Sequence, residues 1–167
     1  MIVLEPIPRD RFAAWRERAM AGYRDDLAAS GRTADEIEAH IARVEPELFT
    51  DHGPREGHFV FEVSVDDDEA GYLWVGPGPS GDEFYVWDVE IDEAWRGMGL
   101  GRSTMLAAEE LARAEGYTTI ALAVGDANTV ARGLYDSLGY ETVDAQGGRR
   151  LMRKAVPASG SASDSAG

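Results

Sequence analysis

Cysteine is absent from the 167-residue sequence, and lysine occurs once, at Lys154. Without a thiol, the sequence offers no cysteine nucleophile, no thiolate metal ligand and no disulfide bond. No apolar run is long enough to span a membrane, and the first residues, Met1 to Pro6, lack the basic region of a secretory signal. These absences favour a cytoplasmic protein with no membrane partner.

Basic residues are also scarce: Lys and Arg number 16 against 31 Asp and Glu, which gives a net charge of −15. A charge of this sign repels nucleic-acid phosphate and favours a cationic substrate or partner. It has a simpler interpretation too, because an acidic surface keeps a protein soluble whatever it binds. With 44% hydrophobic residues, the chain is expected to be globular.

The order of apolar patterns predicts β-α-α-β-β-β-α-β-α-β-β over a single domain, residues 1–156. A Ser/Ala/Gly-rich tail, residues 157–167, is expected to be disordered. Thr33 and Glu36 form a capping box for the second helix, which Pro46 is expected to end or bend. The third helix is expected over residues 99–115, with Leu100, Thr104, Ala107 and Leu111 facing inward.

The stretch from Val86 to Arg102 reads as a strand, a glycine-rich turn and a helix N-terminus. Such a turn lets the backbone approach a ligand, and the first amides of the helix point at an anion such as a diphosphate. The dinucleotide fingerprint G-x-G-x-x-G is excluded, because its third glycine would fall on Arg102. A P-loop is excluded as well, since the stretch contains no lysine.

Two motifs carry a family resemblance. Arg96-x-x-Gly99-x-Gly101 resembles the coenzyme A loop of the GNAT superfamily of acyl-CoA-dependent N-acyltransferases. The segment from Asn128 to Tyr140 is similar to the fourth-helix segment of the same family, and the resemblance covers residues 2–156. It implies an α/β (α+β) fold: a mixed, mostly antiparallel twisted sheet with a splayed parallel central pair, flanked by about four helices.

The resemblance implies acetyl-CoA as co-substrate and no metal. The backbone of Val89 and Ile91 would pair with the pantetheine arm, and the Ile91 N–H would face the thioester carbonyl. Asn128 is implied as a coenzyme contact, although it is equally suited to cap its helix. Including the diphosphate loop, the implied coenzyme residues are Val89, Ile91, Arg96, Gly97, Met98, Gly99, Gly101, Arg102, Asn128 and Tyr135.

The resemblance implies that Tyr135 protonates the departing thiolate, a phenol near pKa 10 facing a thiol near 8.5. Taken alone, a tyrosine beside Leu134 and Leu138 would more often be a core residue. No motif identifies the base, because family members use different residues. Glu90 is the first candidate and Asp88 the second, on one face of a regular strand, with Tyr85 and Trp87 on the other. Their alternative role is hydrogen bonding to backbone or arginine.

In this family the first two helices wall the acceptor side. Trp15, Tyr23 and residues 45–57 are therefore pocket candidates, with ordinary core as the alternative for the two aromatic residues. The function expected is an N-acetyltransferase that moves an acetyl group to a primary amine, in a small molecule or a peptide, by direct attack in a ternary complex. The alternative is a non-catalytic acyl-CoA-binding sensor or interaction module. The family's fold often forms homodimers, although no segment here indicates one.

Overall fold

The protein is described by a computed structural model over residues 1–157, so the predicted tail, apart from Pro157, lies outside the described residues. Seven strands form one sheet in the order β1-β2-β3-β4-β5-β7-β6, and only the β4–β5 pair among them is parallel. This arrangement confirms the expected α/β fold class. The strands are β1 Ile2–Pro6, β2 Phe59–Val65, β3 Asp68–Pro77, β4 Phe84–Ile91, β5 Thr119–Gly125, β6 Glu141–Gln146 and β7 Arg149–Ala155.

Four α-helices flank the sheet: α1 Arg9–Ala29, α2 Ala34–Leu48, α3 Leu100–Ala114 and α4 Thr129–Ser137. The predicted cap is present, since Thr33 Oγ1 accepts the Glu36 N–H at 3.2 Å. Pro46 does not end α2, because the Phe49 N–H still donates to the Glu45 carbonyl, at 3.0 Å, and closes the last turn. Over residues 1–157, no helix combines the length and apolarity that a membrane span requires.

The sheet has a core on each face. One core lies against α3 and α4, and the other, rich in aromatic residues, lies against α1 and α2. The inward face of α3 differs from the prediction: Ala107 and Leu111 are only half-buried, while Glu109 is 2% exposed. Glu109 was not among the residues predicted to face inward, and Lys154 and Tyr140 pair with its carboxylate inside the protein.

Strand β4 contains a β-bulge that overturns the predicted faces. Val75 of β3 pairs with Val86, whereas Trp74 pairs with Asp88, so Trp87 is an extra residue. Side chains on a regular strand alternate between the two faces of the sheet, and the extra residue shifts this alternation by one position. As a result the aromatic residues Tyr85 and Trp87 do not lie opposite the two acids; all four line one cleft on the α1/α2 face.

The bulge coincides with the place where β4 leaves β5. Within the described chain, the parallel pairing covers Phe84–Ile120, Tyr85–Ala121 and Val86–Leu122 and stops there, one residue before Trp87. A bulge bends its strand and increases the local twist. The C-terminal half of β4 is therefore separated from β5, and the sheet is open at its centre.

Candidate active site

The glycine-rich turn that follows β4 delivers the chain into α3 through left-handed backbone. Gly97 has φ +80° and Gly99, which caps α3, has φ +79°. Side chains other than glycine rarely adopt this conformation. No side chain caps the helix, and no acid lies in its first turn. Its first amides are therefore available to an anion, and the helix dipole favours one there.

A cleft of about 790 Å³, here called the glycine-loop cleft, opens in front of this helix end. It brings together nine of the ten residues that the resemblance implied for the coenzyme: Val89, Ile91, Arg96, Gly97, Gly99, Gly101, Arg102, Asn128 and Tyr135. Met98 is not among the lining residues, and its side chain is 64% exposed. The approach of α4 is close, since a Cβ on Gly101 would meet Leu134 Cδ2 at 3.3 Å.

Polar side chains brace the rim of the glycine-loop cleft. Arg96 Nε donates to the Ile91 carbonyl at 2.9 Å, and Arg102 Nη1 donates to Ser137 Oγ at 3.0 Å. Asn128 Oδ1 accepts the Ala131 N–H at 3.2 Å, which is the N-cap bond of α4. Asn128 thus caps its helix while lining the cleft, so the two roles considered for it are compatible.

The open edge of β4 supplies backbone groups to the same cleft. The Asp92 N–H donates to the Ala70 carbonyl of β3 at 2.8 Å. Because successive residues of a strand direct their amides to opposite sides, the Ile91 N–H points away from β3. On that side β5 has already separated from β4. An extended ligand can therefore pair with β4 there as an added strand.

A second cleft, of about 420 Å³, lies on the α1/α2 face of β4 and is here called the aromatic cleft. Trp74 and Trp87 stack in its wall with ring centroids 5.4 Å apart, and Tyr85 meets Trp87 edge-on at 4.9 Å. Of the sequence candidates, Tyr23 and Leu48 line it, whereas Trp15 is 4% exposed and belongs to the core. Its acidic lining residues are Asp26, Asp88 and Glu90.

Asp88 and Glu90 share one hydrogen-bond donor. The Tyr72 hydroxyl lies 2.6 Å from Asp88 Oδ2 and 3.2 Å from Glu90 Oε2. Burial raises the pKa of Asp88; the hydrogen bond from Tyr72 opposes that shift and the charge of Glu90 adds to it. No basic side chain of residues 1–157 forms an ion pair with either acid. The pair thus presents negative charge to the aromatic cleft without a direct ion pair; Arg18 lines the same cleft, with its guanidinium carbon 5.1 Å from the centre of the Tyr72 ring.

Tyr135 lies where the clefts meet. It lines the glycine-loop cleft and also a third cleft of about 600 Å³ between β4 and β5, which it shares with Asp88. Its side chain is 7% exposed, and its hydroxyl has no hydrogen-bond partner within the described part of the chain. Burial, and then the charge of Asp88, raises the pKa of Tyr135 to about 12. The phenol is therefore fully protonated at neutral pH and a weaker acid than the sequence suggested.

Comparison with known proteins agrees with this geometry. The sequence profile of the acetyltransferase (GNAT) family matches residues 13–140. The chain is a member of the GNAT family. It is 24% identical over 157 residues to an uncharacterised N-acetyltransferase, YycN, of Bacillus subtilis strain 168, covering 90% of this chain and 99% of that one. It is 46% identical over 69 residues to the mycothiol acetyltransferase of Thermobispora bispora, covering 40% of this chain and 22% of that protein.

Solved GNAT structures share the fold. The structure of YycN superposes with a TM-score of 0.73 at 22% identity, covering 87% of this chain and 95% of that one. The PaiA N-acetyltransferase of Thermoplasma acidophilum, which was solved in complex with coenzyme A, gives a TM-score of 0.62 at 15% identity over 93% and 99% of the two chains. At these identities the likeness establishes the architecture.

Sequence reasoning missed several residues of this GNAT site. In the glycine-loop cleft they are Trp95, Leu100, Met105, Val130, Ala131 and Leu134. The sequence could have identified one of these residues: Ala131 lies four residues before Tyr135, which places both on one helical face. In the aromatic cleft, Tyr72 had none, since its role depends on pairing with Glu90 across two strands.

Proposed function

We propose that the protein transfers an acetyl group from acetyl-CoA to a primary amine, by direct attack within a ternary complex. The observation that carries this proposal is the position of Tyr135 and Asp88 at the junction of the clefts. One cleft has the uncapped helix end and the open strand edge that suit a diphosphate with an extended arm. The other presents acids and aromatic rings that suit an ammonium group.

On the donor side, the α3 amides and the loop from Arg96 to Gly99 hold the diphosphate, and Arg102 adds positive charge at the first turn of α3. The open edge of β4 holds the pantetheine arm, and the Ile91 N–H faces the thioester oxygen, where negative charge develops. Acetyl-CoA supplies the acetyl group. With no cysteine in the chain, no acyl-thiol enzyme intermediate is available.

On the acceptor side, we assign the base to Asp88, ahead of Glu90. Its pKa is raised by burial toward the range in which a carboxylate accepts a proton effectively. An alkylammonium gives its first proton to Asp88, and from there to solvent. Glu90 is exposed at the mouth, where its charge attracts the cation.

Each proton in the transfer step has a donor and an acceptor. The neutral nitrogen attacks the carbonyl carbon, a C–N bond forms and the C–S bond breaks. Tyr135 donates its proton to the departing sulfur, and the second proton of the nitrogen returns through water to the phenolate. Because the pKa of Tyr135 is about 12, this donation is uphill to a free thiolate near 8.5. Proton transfer and C–S cleavage are therefore expected to occur together.

The test has two arms. In the first, acetyl-CoA, NAD and ATP are each added in a melting experiment; a ligand at 100 times its Kd adds about 2.7 kcal/mol of stability. In the second, acetyl-CoA is mixed with a panel of amines and thiol release is followed. Stabilisation by acetyl-CoA alone, with amine-dependent thiol release, supports the proposal. Binding without release under any amine would instead identify an acyl-CoA-binding module, and a larger shift with NAD or ATP would refute the donor assignment.

A further inference from the structure

A hydrogen-bonded chain runs from α2 to the wall of the aromatic cleft. Tyr23, on α1, lines the cleft, and its hydroxyl lies 2.8 Å from His40 Nε2. The other ring nitrogen, His40 Nδ1, lies 3.0 Å from Arg43 Nη2. Neither His40 nor Arg43 lines the cleft, so they reach it only through Tyr23.

Arg43 determines which group donates in both of these hydrogen bonds, from Arg43 to His40 and from His40 to Tyr23. A guanidinium carries only donors, so Arg43 donates and the imidazole nitrogen facing it accepts. A neutral imidazole has one donor and one acceptor, which makes the nitrogen facing Tyr23 the N–H donor. Burial, then the charges of Arg32 and Arg43, lower the pKa of His40, so the neutral form is the one present at neutral pH.

The phenol oxygen of Tyr23 therefore accepts from His40, and its own O–H proton is left for another partner. Among residues 1–157 the Tyr23 hydroxyl has no second hydrogen bond. Two arginines line the aromatic cleft as well: Arg149, in an ion pair with Asp26 at 3.3 Å, and Arg18, beside the ring of Tyr72.

We propose that the acceptor carries, besides its amine, a carbonyl or carboxylate oxygen that accepts a hydrogen bond from the Tyr23 hydroxyl. This inference rests on the proposed function and narrows its substrate class to amines such as amino amides, amino acids or peptides. The ammonium lies against Asp88 and Glu90, two carboxylates that share the Tyr72 hydroxyl as a hydrogen-bond donor. The oxygen lies at the Tyr23 end. Tyr23 is then a specificity-determining residue, and His40 is a positioning residue that acts through it.

The first experiment uses matched acceptors. The ω-amino amides from β-alaninamide to 6-aminohexanamide are each compared with the amine in which a branched dimethyl end replaces the amide, for example isopentylamine. The wild-type protein is expected to prefer one of the amides over its matched amine by about 3- to 10-fold in kcat/KM, the range of one neutral hydrogen bond. In Tyr23→Phe this preference is expected to fall to about one, through KM rather than kcat.

The second experiment separates the direction of the hydrogen bond from its mere presence. In His40→Gln, the side-chain oxygen accepts from Arg43 and the amide NH₂ donates to Tyr23, as the imidazole does. In His40→Glu, both oxygens accept, so Tyr23 must turn its proton toward the glutamate. The two side chains have nearly the same shape. His40→Gln is expected to keep at least half of the amide preference, whereas His40→Glu is expected to lose it.

The outcomes are distinguishable. If no amine in the series releases thiol, the proposed function fails and this inference falls with it. If amines react but no amide is preferred, or if Tyr23→Phe keeps the preference, the proposed function stands and the role of Tyr23 is refuted. Equal preferences in His40→Gln and His40→Glu would show that His40 supports the helix packing only.

Discussion

The β4–α3 side of the glycine-loop cleft is built mainly from backbone, with side chains of α4 opposite it, whereas the aromatic cleft is built mainly from side chains. The first depends on two left-handed glycines, one helix end and one strand edge, all within residues 89–102. The second joins side chains from α1, α2, β3 and β4, which lie far apart in sequence. A site made of consecutive backbone can be recognised from a short motif, whereas a site assembled across the fold leaves no such motif. In the proposed function, the first cleft binds acetyl-CoA and the second binds the amine acceptor.

Tyr135 lines the glycine-loop cleft and meets Asp88 of the aromatic cleft in the third cleft, so removing its hydroxyl is expected to have the largest effect. Tyr135→Phe should lower kcat by about 10²–10⁴-fold, the usual contribution of general acid catalysis, with KM for acetyl-CoA nearly constant. Its hydroxyl has no partner within residues 1–157, so the melting temperature should change little. The loss should shrink when a thioester with a more acidic thiol is used, since that leaving group needs less help.

The matched control is Tyr140→Phe. The ring of Tyr140 lies 5.9 Å from that of Tyr135, but its hydroxyl donates to the buried Glu109 at 3.1 Å. Losing that bond should cost about 1–3 kcal/mol of stability and leave kcat almost intact. A native rate in Tyr135→Phe, or an equal loss of kcat in both variants, would make Tyr135 a packing residue.

Asp88→Asn tests the acceptor side, with an expected loss of about 10²-fold in kcat/KM. The wild-type rate should rise with pH as Asp88 ionises, and the variant should lack that limb. The free energy of unfolding of the wild-type protein should instead fall as the pH rises. A raised folded-state pKa means that ionisation costs stability as pH rises above about 4, so the variant should melt higher at neutral pH and equally at lower pH. If the rate of the variant still rises with pH as the wild-type rate does, the base is Glu90 rather than Asp88.

Gly99→Val tests the backbone side, with an expected loss of about tenfold in acetyl-CoA affinity. No atom lies within 4 Å of a Cβ at Gly99, so the cost comes from forcing a branched residue into φ +79°. Gly116, at the other end of α3, has φ +87° and equal space. Gly116→Val should therefore lose similar stability, about 1–3 kcal/mol, with native affinity in calorimetry. Equal acetyl-CoA affinities in the two variants would show that this loop does not bind the diphosphate.

Salt is expected to have the smallest effect and to separate the two substrates. The acceptor's kcat/KM should fall severalfold between 0.05 and 0.5 M salt, because ions screen Asp88 and Glu90 and the net charge of −15. The KM for acetyl-CoA should not rise, since the same net charge repels an anion. Initial rates over the salt series measure both. A flat acceptor profile would argue against a cationic amine.

Nine of the ten residues expected to contact the coenzyme line one cleft, and there is a physical reason for this. Positive φ at Gly99 and an uncapped helix end are local properties that a motif records. The bulge at Trp87 is different: no residue preference marks it, and it follows from pairing with β3. The Tyr23–His40 bond likewise depends on how α1 packs on α2. The predicted inward face of α3 did not include Glu109, because its burial depends on Lys154, 45 residues away.

The extra residue in β4 also governs how the chain tolerates changes in length. Without the bulge, a strand of the same length would turn Asp88 and Glu90 into the core beside Phe84 and Val86, at several kcal/mol for each buried carboxylate. Deleting Trp87 would instead restore a regular strand, and all the remaining side chains of β4 would keep their present faces. That shorter strand would no longer be bent away from β5. The presence of a single residue in this strand thus determines whether β4 separates from β5.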